Sequence, residues 1–146
     1  MKTVIKTING VAIMTLVDLS NKDEAINQWK ASNIGAYVSH RDMAEDAIPL
    51  DRTFRNAWAD TTTDLIVDID IIKAKVIAHD ARRVSRNAAF APLDIKATIP
   101  AESEAAEASR SVIRTNDAAL QVSMDAAEEL TSLKALLPTI NWPTAP

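Results

Sequence analysis

The chain has 146 residues, enough for one hydrophobic core, with a net charge of -4 and no cysteine. The negative charge gives no electrostatic reason to expect a nucleic acid as partner, and the lack of cysteine excludes disulfides and thiolate metal sites. No segment approaches the roughly 18 consecutive apolar residues of a membrane-spanning helix, so we expect no membrane partner and a protein of the cytoplasm.

The first 47 residues are predicted to form a small α+β unit that begins with a β-hairpin. Residues 3–8 and 11–17 are β-rich runs, and Asn9-Gly10 between them is a strong signal for a hairpin turn. Five side chains in these runs can supply one buried face: Val4, Ile8, Val11, Ile13 and Leu16.

A helix and a third strand are predicted to complete this unit. The helix begins after Ser20 or Asn21, because acidic residues follow in its first turn, where the helix dipole favours them. Asn33-Ile34-Gly35 is typical of a helix C-terminus, and residues 36–39 then fit a short strand.

Residues 48–67 are predicted to form a connector built around an aromatic and arginine-containing motif. Phe54 and Trp58 lie four residues apart in a chain with few aromatic residues, so one helical turn would put both rings on one face. Arg52 and Arg55 would then flank the rings. Asp51 is predicted to cap a short helix, and residues 65–67 are predicted to form a short strand.

This motif has two interpretations. Aromatic residues at such spacing are most often part of a hydrophobic core. In the functional interpretation, Arg52 and Arg55 are held beside the rings to bind a carboxylate or carbonyl group of a partner chain. Both interpretations apply if the motif packs at the junction between the N-terminal unit and the helices that follow.

Residues 68–146 are predicted to form a mostly helical arm. Apolar residues recur at helical spacing from about Asp68, and Pro92 should kink or end that helix. Asn116-Asp117 is interpreted as a break before a last helix that Ser123 caps and Pro138 ends. The predicted helices cover residues 68–91, with an extension over 93–98, then 101–115 and 124–137.

Three features of this arm bear on partners. A leucine stripe that includes Leu133 and Leu137 either packs within the arm or fits a groove of a partner. Trp142 stands in an apolar tail bounded by prolines, which suggests that a contact holds the tail. The basic cluster Arg82, Arg83 and Arg86 is interpreted as a solvated helix face.

Little in the sequence indicates catalysis or a cofactor. His40 and His79 are the only histidines, and their spacing matches no helical metal-binding pattern. The two glycines cannot provide a phosphate-binding loop, and the carboxylate pairs lack the apolar neighbours that would make them catalytic. We therefore predict no catalytic residues, no metal ligands and no cofactor.

One run of residues resembles a segment of small proteins that tailed bacteriophages encode near their tail-fibre genes. The run is Pro49-Leu50-Asp51-Arg52-Thr53-Phe54-Arg55-Asn56-Ala57-Trp58. Further positions fit the same pattern: Ile66-Val67-Asp68, Lys73-Ala74-Lys75, Leu93-Asp94, Glu128-Glu129-Leu130 and Lys134-Ala135-Leu136. The resemblance extends over residues 49–137 and is densest in the first run.

This resemblance implies a phage protein of the tail region with no catalytic role. The expected function is that of a tail-fibre assembly chaperone acting in the host cytoplasm, and the alternative is a minor structural protein retained in the virion tail. Expected partners are a tail-fibre or other tail protein and further copies of this chain. The residues predicted to touch a partner, or to support the contacting surface, are Arg52, Phe54, Arg55, Trp58, Leu133, Leu137 and Trp142.

Overall fold

The computed structural model describes residues 1–16, 18–61 and 66–137, and the chain divides into two units. The first unit covers residues 1–70 and contains antiparallel strands with one α-helix, whereas the second begins at Ile71 and is helical. The predicted α+β class is therefore confirmed. None of the helices in the described part of the chain has the length and apolar character needed to cross a membrane.

The first unit is built on a three-stranded antiparallel sheet. Its strands are β1 (Lys2–Thr7), β2 (Gly10–Met14) and β3 (Tyr37–Met43), and β1 lies in the middle. The predicted hairpin is confirmed, but its turn falls at Ile8-Asn9, one residue earlier than expected, and Ile8 is exposed. The third strand is also confirmed, and it is longer than the sequence indicated.

Gly10 is required by a close approach. It is the first residue of β2, and a Cβ atom placed on it would lie 3.0 Å from the carbonyl oxygen of Trp58. Such a contact is too short for any larger residue unless one of the two backbone segments moves. The glycine therefore lets β2 lie directly against the segment that carries the aromatic motif.

Both faces of the sheet are covered around its central strand. Val4 lies opposite Ile13 and Arg41, so these side chains share one face, while Ile5 points to the other. Val4 and Ile5 are both fully buried. Because neighbouring strand residues alternate between faces, burial of both means that each face packs against another element.

Helix α1 (Lys22–Ser32) packs on the face that carries Ile5. Lys22 Nζ lies 2.6 Å from Asp42 Oδ2, and Asp42 also accepts a hydrogen bond from the Thr3 hydroxyl on β1. Ile26 in the middle of the helix is buried, and Gly35 takes the left-handed conformation (φ 78°) just beyond its end. The predicted bounds of this helix are confirmed within about two residues.

The carboxylate of Asp42 confers a pH dependence on this unit. Its pKa is lowered from 3.8, first by the hydrogen bond from Lys22 and then by that from Thr3. A carboxyl group whose pKa falls on folding stabilises the fold above its unfolded pKa, and this contribution is lost as the pH drops through the folded pKa. We expect Asp42→Asn to reduce stability near neutral pH but to have a shrinking effect below pH 3.8. Urea unfolding of both proteins over a pH series measures this, and a pH-independent difference would contradict it.

The other face of the sheet packs against the segment that follows β3. Short strands β4 (Trp58–Ala59) and β5 (Asp68–Ile69) pair there, and β4 was not anticipated from the sequence. Short 3-10 helices lie at residues 19–21, 45–47 and 55–57. The core on this side consists of Val4, Val11, Met43, Trp58 and Val67, with Ile13, Ala47, Ile48 and Ile69 against it.

The second unit is a helical hairpin with a short third helix. Its helices are α2 (Ile71–Ala97), α3 (Ser103–Ala126) and α4 (Leu130–Leu136). Pro92 lies inside α2 and does not end it. The predicted break at Asn116-Asp117 is wrong, because α3 runs through both residues and the chain leaves the helix only after Ala126.

Helices α2 and α3 are antiparallel, and a polar pair lies in their interface. Residues early in α2 meet residues late in α3, as in the hydrogen bond from Lys75 to the Asp125 carbonyl, which measures 2.7 Å. Arg82 and Asp117 form an ion pair between the helices with both residues buried. The interpretation of Arg82 as part of a solvated face is therefore wrong. The other buried residues of the two helices are Ala74, Ala78, Leu93, Ala106, Ile113 and Met124.

Candidate functional site

The aromatic motif folds as two tight turns. Asp51 Oδ1 accepts hydrogen bonds from the Thr53 backbone N–H (2.9 Å) and from its hydroxyl group (2.7 Å), so Asp51 caps a turn. The prediction that it caps a helix is wrong, because the next helical turn has Phe54 at its N-cap. A single 3-10 turn over residues 55–57 follows, and Trp58 already belongs to β4. The predicted helical face shared by Phe54 and Trp58 is therefore wrong, because this segment contains no α-helical turn.

Both rings of the motif lie inside the first unit. Phe54 is 3 % exposed and Trp58 is 1 % exposed. Their burial agrees with the core interpretation, because rings this inaccessible support the surface above them and do not themselves present it. Of the two predicted roles, supporting the contacting surface is the one that fits their position.

Arg55 links the motif to the sheet. Its Nη1 donates a hydrogen bond of 2.9 Å to the carbonyl oxygen of Val11 on β2, and its guanidinium carbon lies 4.3 Å from the centre of the Trp58 ring. Burial, and secondarily the charge of Arg52, lowers the pKa of Arg55. An arginine stays protonated despite such a shift, so the positive charge remains on the ring face.

A second arginine secures the other end of the motif. Arg41 on β3 donates through Nε and Nη2 to the two carboxylate oxygens of Asp60, which is 6 % exposed. This two-point contact fixes both the position and the orientation of the carboxylate. No local pattern in the sequence indicates this pair, because its two residues lie 19 positions apart.

Beside Trp58 the surface of the first unit forms a recess of about 270 Å³. We call it the Trp58 recess. Cationic and apolar side chains line it together, with a single carboxylate. Its lining residues are Lys2, Ile13, Thr15, Glu45, Ile48, Pro49, Leu50, Arg52, Arg55 and Trp58.

Two donor groups at the Trp58 recess, the Arg52 guanidinium and the Trp58 indole N–H, have no partner among the described residues, whereas Lys2 does. Lys2 Nζ lies 3.2 Å from Glu45 Oε1 and donates to the Thr15 hydroxyl at 3.1 Å. The Arg52 side chain, by contrast, makes no hydrogen bond or ion pair to any residue in the described ranges. Trp58 Nε1 is buried and likewise lacks an acceptor there. Of these two donors, the exposed Arg52 guanidinium is the one that an anionic oxygen of a ligand can reach.

The remaining predicted contact residues lie elsewhere. Leu133 is fully buried in the helical unit, in agreement with packing within the arm, and Leu137 is half-buried just after α4. Trp142 lies outside the described residues. The structure thus brings Arg52, Arg55 and Trp58 together at one site.

The helical unit carries a second cluster of arginines around an aromatic ring. The guanidinium carbons of Arg86 and Arg110 lie 5.2 and 5.8 Å from the centre of the Phe90 ring. Here, however, carboxylates neutralise the cations: Arg110 contacts Asp94 at 3.1 Å and Glu107 at 2.9 Å. The Trp58 recess is therefore the stronger candidate for an anionic ligand.

Each histidine has one ring nitrogen within hydrogen-bond distance of a neighbouring side chain. His40 Nδ1 lies 2.8 Å from the Tyr37 hydroxyl, and His79 Nε2 lies 2.9 Å from Asp125 Oδ1. Within residues 1–16, 18–61 and 66–137, no three His, Asp or Glu side chains are grouped so that they could hold a metal ion.

Comparisons with protein-family models, with curated proteins and with solved structures gave no match to this chain. The function of the Trp58 recess is therefore inferred from its geometry and its chemistry.

Proposed function

We propose that this chain is a non-enzymatic binding protein of a tailed phage that assists tail-fibre assembly by binding the fibre protein. The observation that carries the proposal is the Trp58 recess, where cationic and apolar side chains line one concave surface. Such a surface suits a polypeptide, because apolar contact supplies affinity while a few charged groups fix orientation. The resemblance of residues 49–58 to phage tail-region proteins suggests the fibre as the partner.

A transient interaction fits the needs of fibre assembly. Unpaired strand edges and apolar surface on a slowly folding β-fibre aggregate unless they are covered. A chaperone must also leave when the fibre trimerises. A recess of about 270 Å³ covers only a small part of a partner, and small interfaces are typical of weak, short-lived complexes.

Leu50 is the apolar residue that a partner would meet first. It is 94 % exposed and belongs to the lining of the Trp58 recess. Ile34 offers a matched comparison, because it is 91 % exposed in the same unit but does not line the recess. Replacing either residue with aspartate adds the same charge at an exposed position, so neither change should unfold the unit.

Co-expression with the tail-fibre protein of the same phage tests the proposal. We expect soluble fibre trimer to increase when the wild-type chain or Ile34→Asp is present. With Leu50→Asp, the yield should fall to that of fibre expressed alone. Equal trimer yield with and without the wild-type chain would contradict the chaperone function. An equal loss of trimer yield with Leu50→Asp and Ile34→Asp would show that the recess is not where the fibre binds.

Exposed apolar residues on the helical unit favour the alternative function, a minor protein retained in the virion. Val84, Ile95 and Val122 are 70 %, 68 % and 68 % exposed. Permanent interfaces are more hydrophobic than transient ones, so such residues suit a lasting assembly. Mass spectrometry of purified virions separates the two functions. A chain present in proportion to the fibre trimers supports the virion component, whereas a trace amount supports the chaperone.

A further inference from the structure

We infer that the Trp58 recess binds the terminal carboxylate of a partner polypeptide whose last residue is apolar. The inference rests on the proposed function, because it names the chemical group by which the partner is recognised. Three properties of the recess carry it: an excess of positive charge, a buried donor without an acceptor, and apolar walls around a small volume.

The charge of the recess favours an anion. Lys2, Arg52 and Arg55 contribute three positive charges to its lining, and Glu45 contributes the single negative charge. Glu45 is already paired with Lys2, so it does not neutralise the arginines. Burial is the main cause of the lowered pKa of Arg55, and repulsion by the positive charge of Arg52 adds to it. A carboxylate near both would relieve that repulsion.

The indole of Trp58 supplies a second reason to expect an oxygen acceptor. Its Nε1 is buried, and it has no hydrogen-bond partner in the described part of the chain. Buried donors in proteins almost always have an acceptor, so an oxygen bound near this one would account for an otherwise unpaired group. A carboxylate has two oxygens, and the exposed guanidinium of Arg52 can donate to both of them.

The size and the walls of the recess favour the end of a chain. At about 270 Å³, the recess lies just below the size of about 300 Å³ at which pockets for drug-sized ligands begin. Ile13, Ile48 and Pro49 line it beside the cations. A terminal residue carries its carboxylate and its side chain on the same carbon, so both fit at once. An acidic residue within a chain offers a carboxylate but no apolar side chain of its own, so a second residue would have to supply the apolar contact.

The two arginines then have different roles. Arg55 is held by the Val11 carbonyl and by the Trp58 ring, so it positions the wall of the recess and supplies a fixed charge. Arg52 has no partner among the described residues and is exposed. It is therefore the residue that contacts the carboxylate directly and contributes most to its recognition.

Nuclear magnetic resonance of the full chain tests the inference, with the indole N–H signal of Trp58 as reporter. The main probe is N-acetyl-leucine, which carries a terminal carboxylate and an apolar side chain. N-acetyl-leucinamide lacks the charge, and the α-amide of N-acetylglutamate carries the carboxylate on its side chain. We expect N-acetyl-leucine to shift the Trp58 signal and to bind about tenfold or more tightly than either control. Equal binding of the leucinamide overturns carboxylate recognition, and equal binding of the glutamate derivative overturns the chain end.

Matched arginine variants complete the test. Arg52→Gln should weaken binding of N-acetyl-leucine about tenfold, whereas Arg83→Gln removes the same charge from an exposed position in the helical unit and should leave it unchanged. Unchanged binding in Arg52→Gln overturns the inference. If no probe binds while Leu50→Asp still abolishes fibre solubility, the inference fails and the proposed function stands. If the probe binds but the wild-type chain does not increase trimer yield, carboxylate binding at the recess stands and the proposed chaperone function fails.

Discussion

Replacing Asp117 with alanine is expected to lower the free energy of unfolding of the helical unit by about 3–5 kcal/mol. Asp117 lies in the middle of α3 and forms a buried ion pair with Arg82 of α2, and Arg86 Nε lies 3.4 Å from its Oδ2. Removing the carboxylate leaves the buried Arg82 guanidinium without its counter-charge, and that desolvation cost falls on the folded state. Urea unfolding followed by far-ultraviolet circular dichroism measures the loss.

Asp94 provides the matched control for this variant. It also pairs with an arginine across α2 and α3, at 3.1 Å from Arg110, but its side chain is 56 % exposed. We expect Asp94→Ala to cost roughly 0–1 kcal/mol, as exposed ion pairs do. The double variant Arg82→Met, Asp117→Leu should be neutral or more stable by up to about 4 kcal/mol. Similar losses for Asp117→Ala and Asp94→Ala would show that burial of the pair has no energetic consequence.

Replacing Trp58 with alanine is expected to destabilise the first unit by about 3–5 kcal/mol. The ring is 1 % exposed and packs in the core formed with Val4, Val11, Met43 and Val67. Truncation removes the largest fully buried side chain of the described residues and leaves a cavity under the recess. Urea unfolding followed by the fluorescence of the remaining tryptophans reports the change.

Trp29→Ala is the comparison for this second variant. Trp29 is half-buried on α1, so its truncation removes less packing and should cost less than half as much. Trp58→Phe should retain most of the stability, because the ring remains while the unpaired Nε1 is removed. Equal losses for Trp58→Ala and Trp29→Ala would contradict the central position of Trp58 in the core.

The two variants act on different units and therefore have different consequences for binding. Loss of Trp58 removes the wall of the recess and the ring on which Arg55 lies. Asp117 lies in the hairpin of α2 and α3 and does not line the recess. Under the proposed function, Trp58→Ala should abolish fibre solubilisation even where the variant is folded, and Asp94→Ala should retain it.

Local chemistry in the sequence was sufficient for several elements. Asn9-Gly10, the acidic residues after Asn21 and the glycine at position 35 predicted a hairpin and a helix that the structure confirms. These predictions succeed because turn formation and helix capping depend on residues within about five positions. For Asp51 the local chemistry predicted a cap but not its type: it caps a turn through Thr53, two residues along the chain, and not a helix.

Helix ends in the second unit depended on distant residues. Asn116-Asp117 has the polarity of a break, yet α3 continues because Arg82, 35 residues away, neutralises Asp117 inside the interface. Pro92 costs its helix a hydrogen bond, but Leu93 beside it is fully buried and helps hold α2 in place. No periodic pattern in the sequence reveals such compensation, because Arg82 lies on another helix and the burial of Leu93 depends on how α2 packs.

The sequence by itself determined that residues 49–58 concentrate aromatic rings and arginines, that the N-terminal unit contains a hairpin and a helix, and that the remainder is mostly helical. Only the tertiary structure decided which of those side chains are accessible: Phe54 and Trp58 are buried, Arg55 is held by the Val11 carbonyl, and Arg52 lines the recess. The reason is physical. Helix and turn preferences follow from neighbouring residues, whereas burial and charge pairing depend on contacts between residues far apart in the chain.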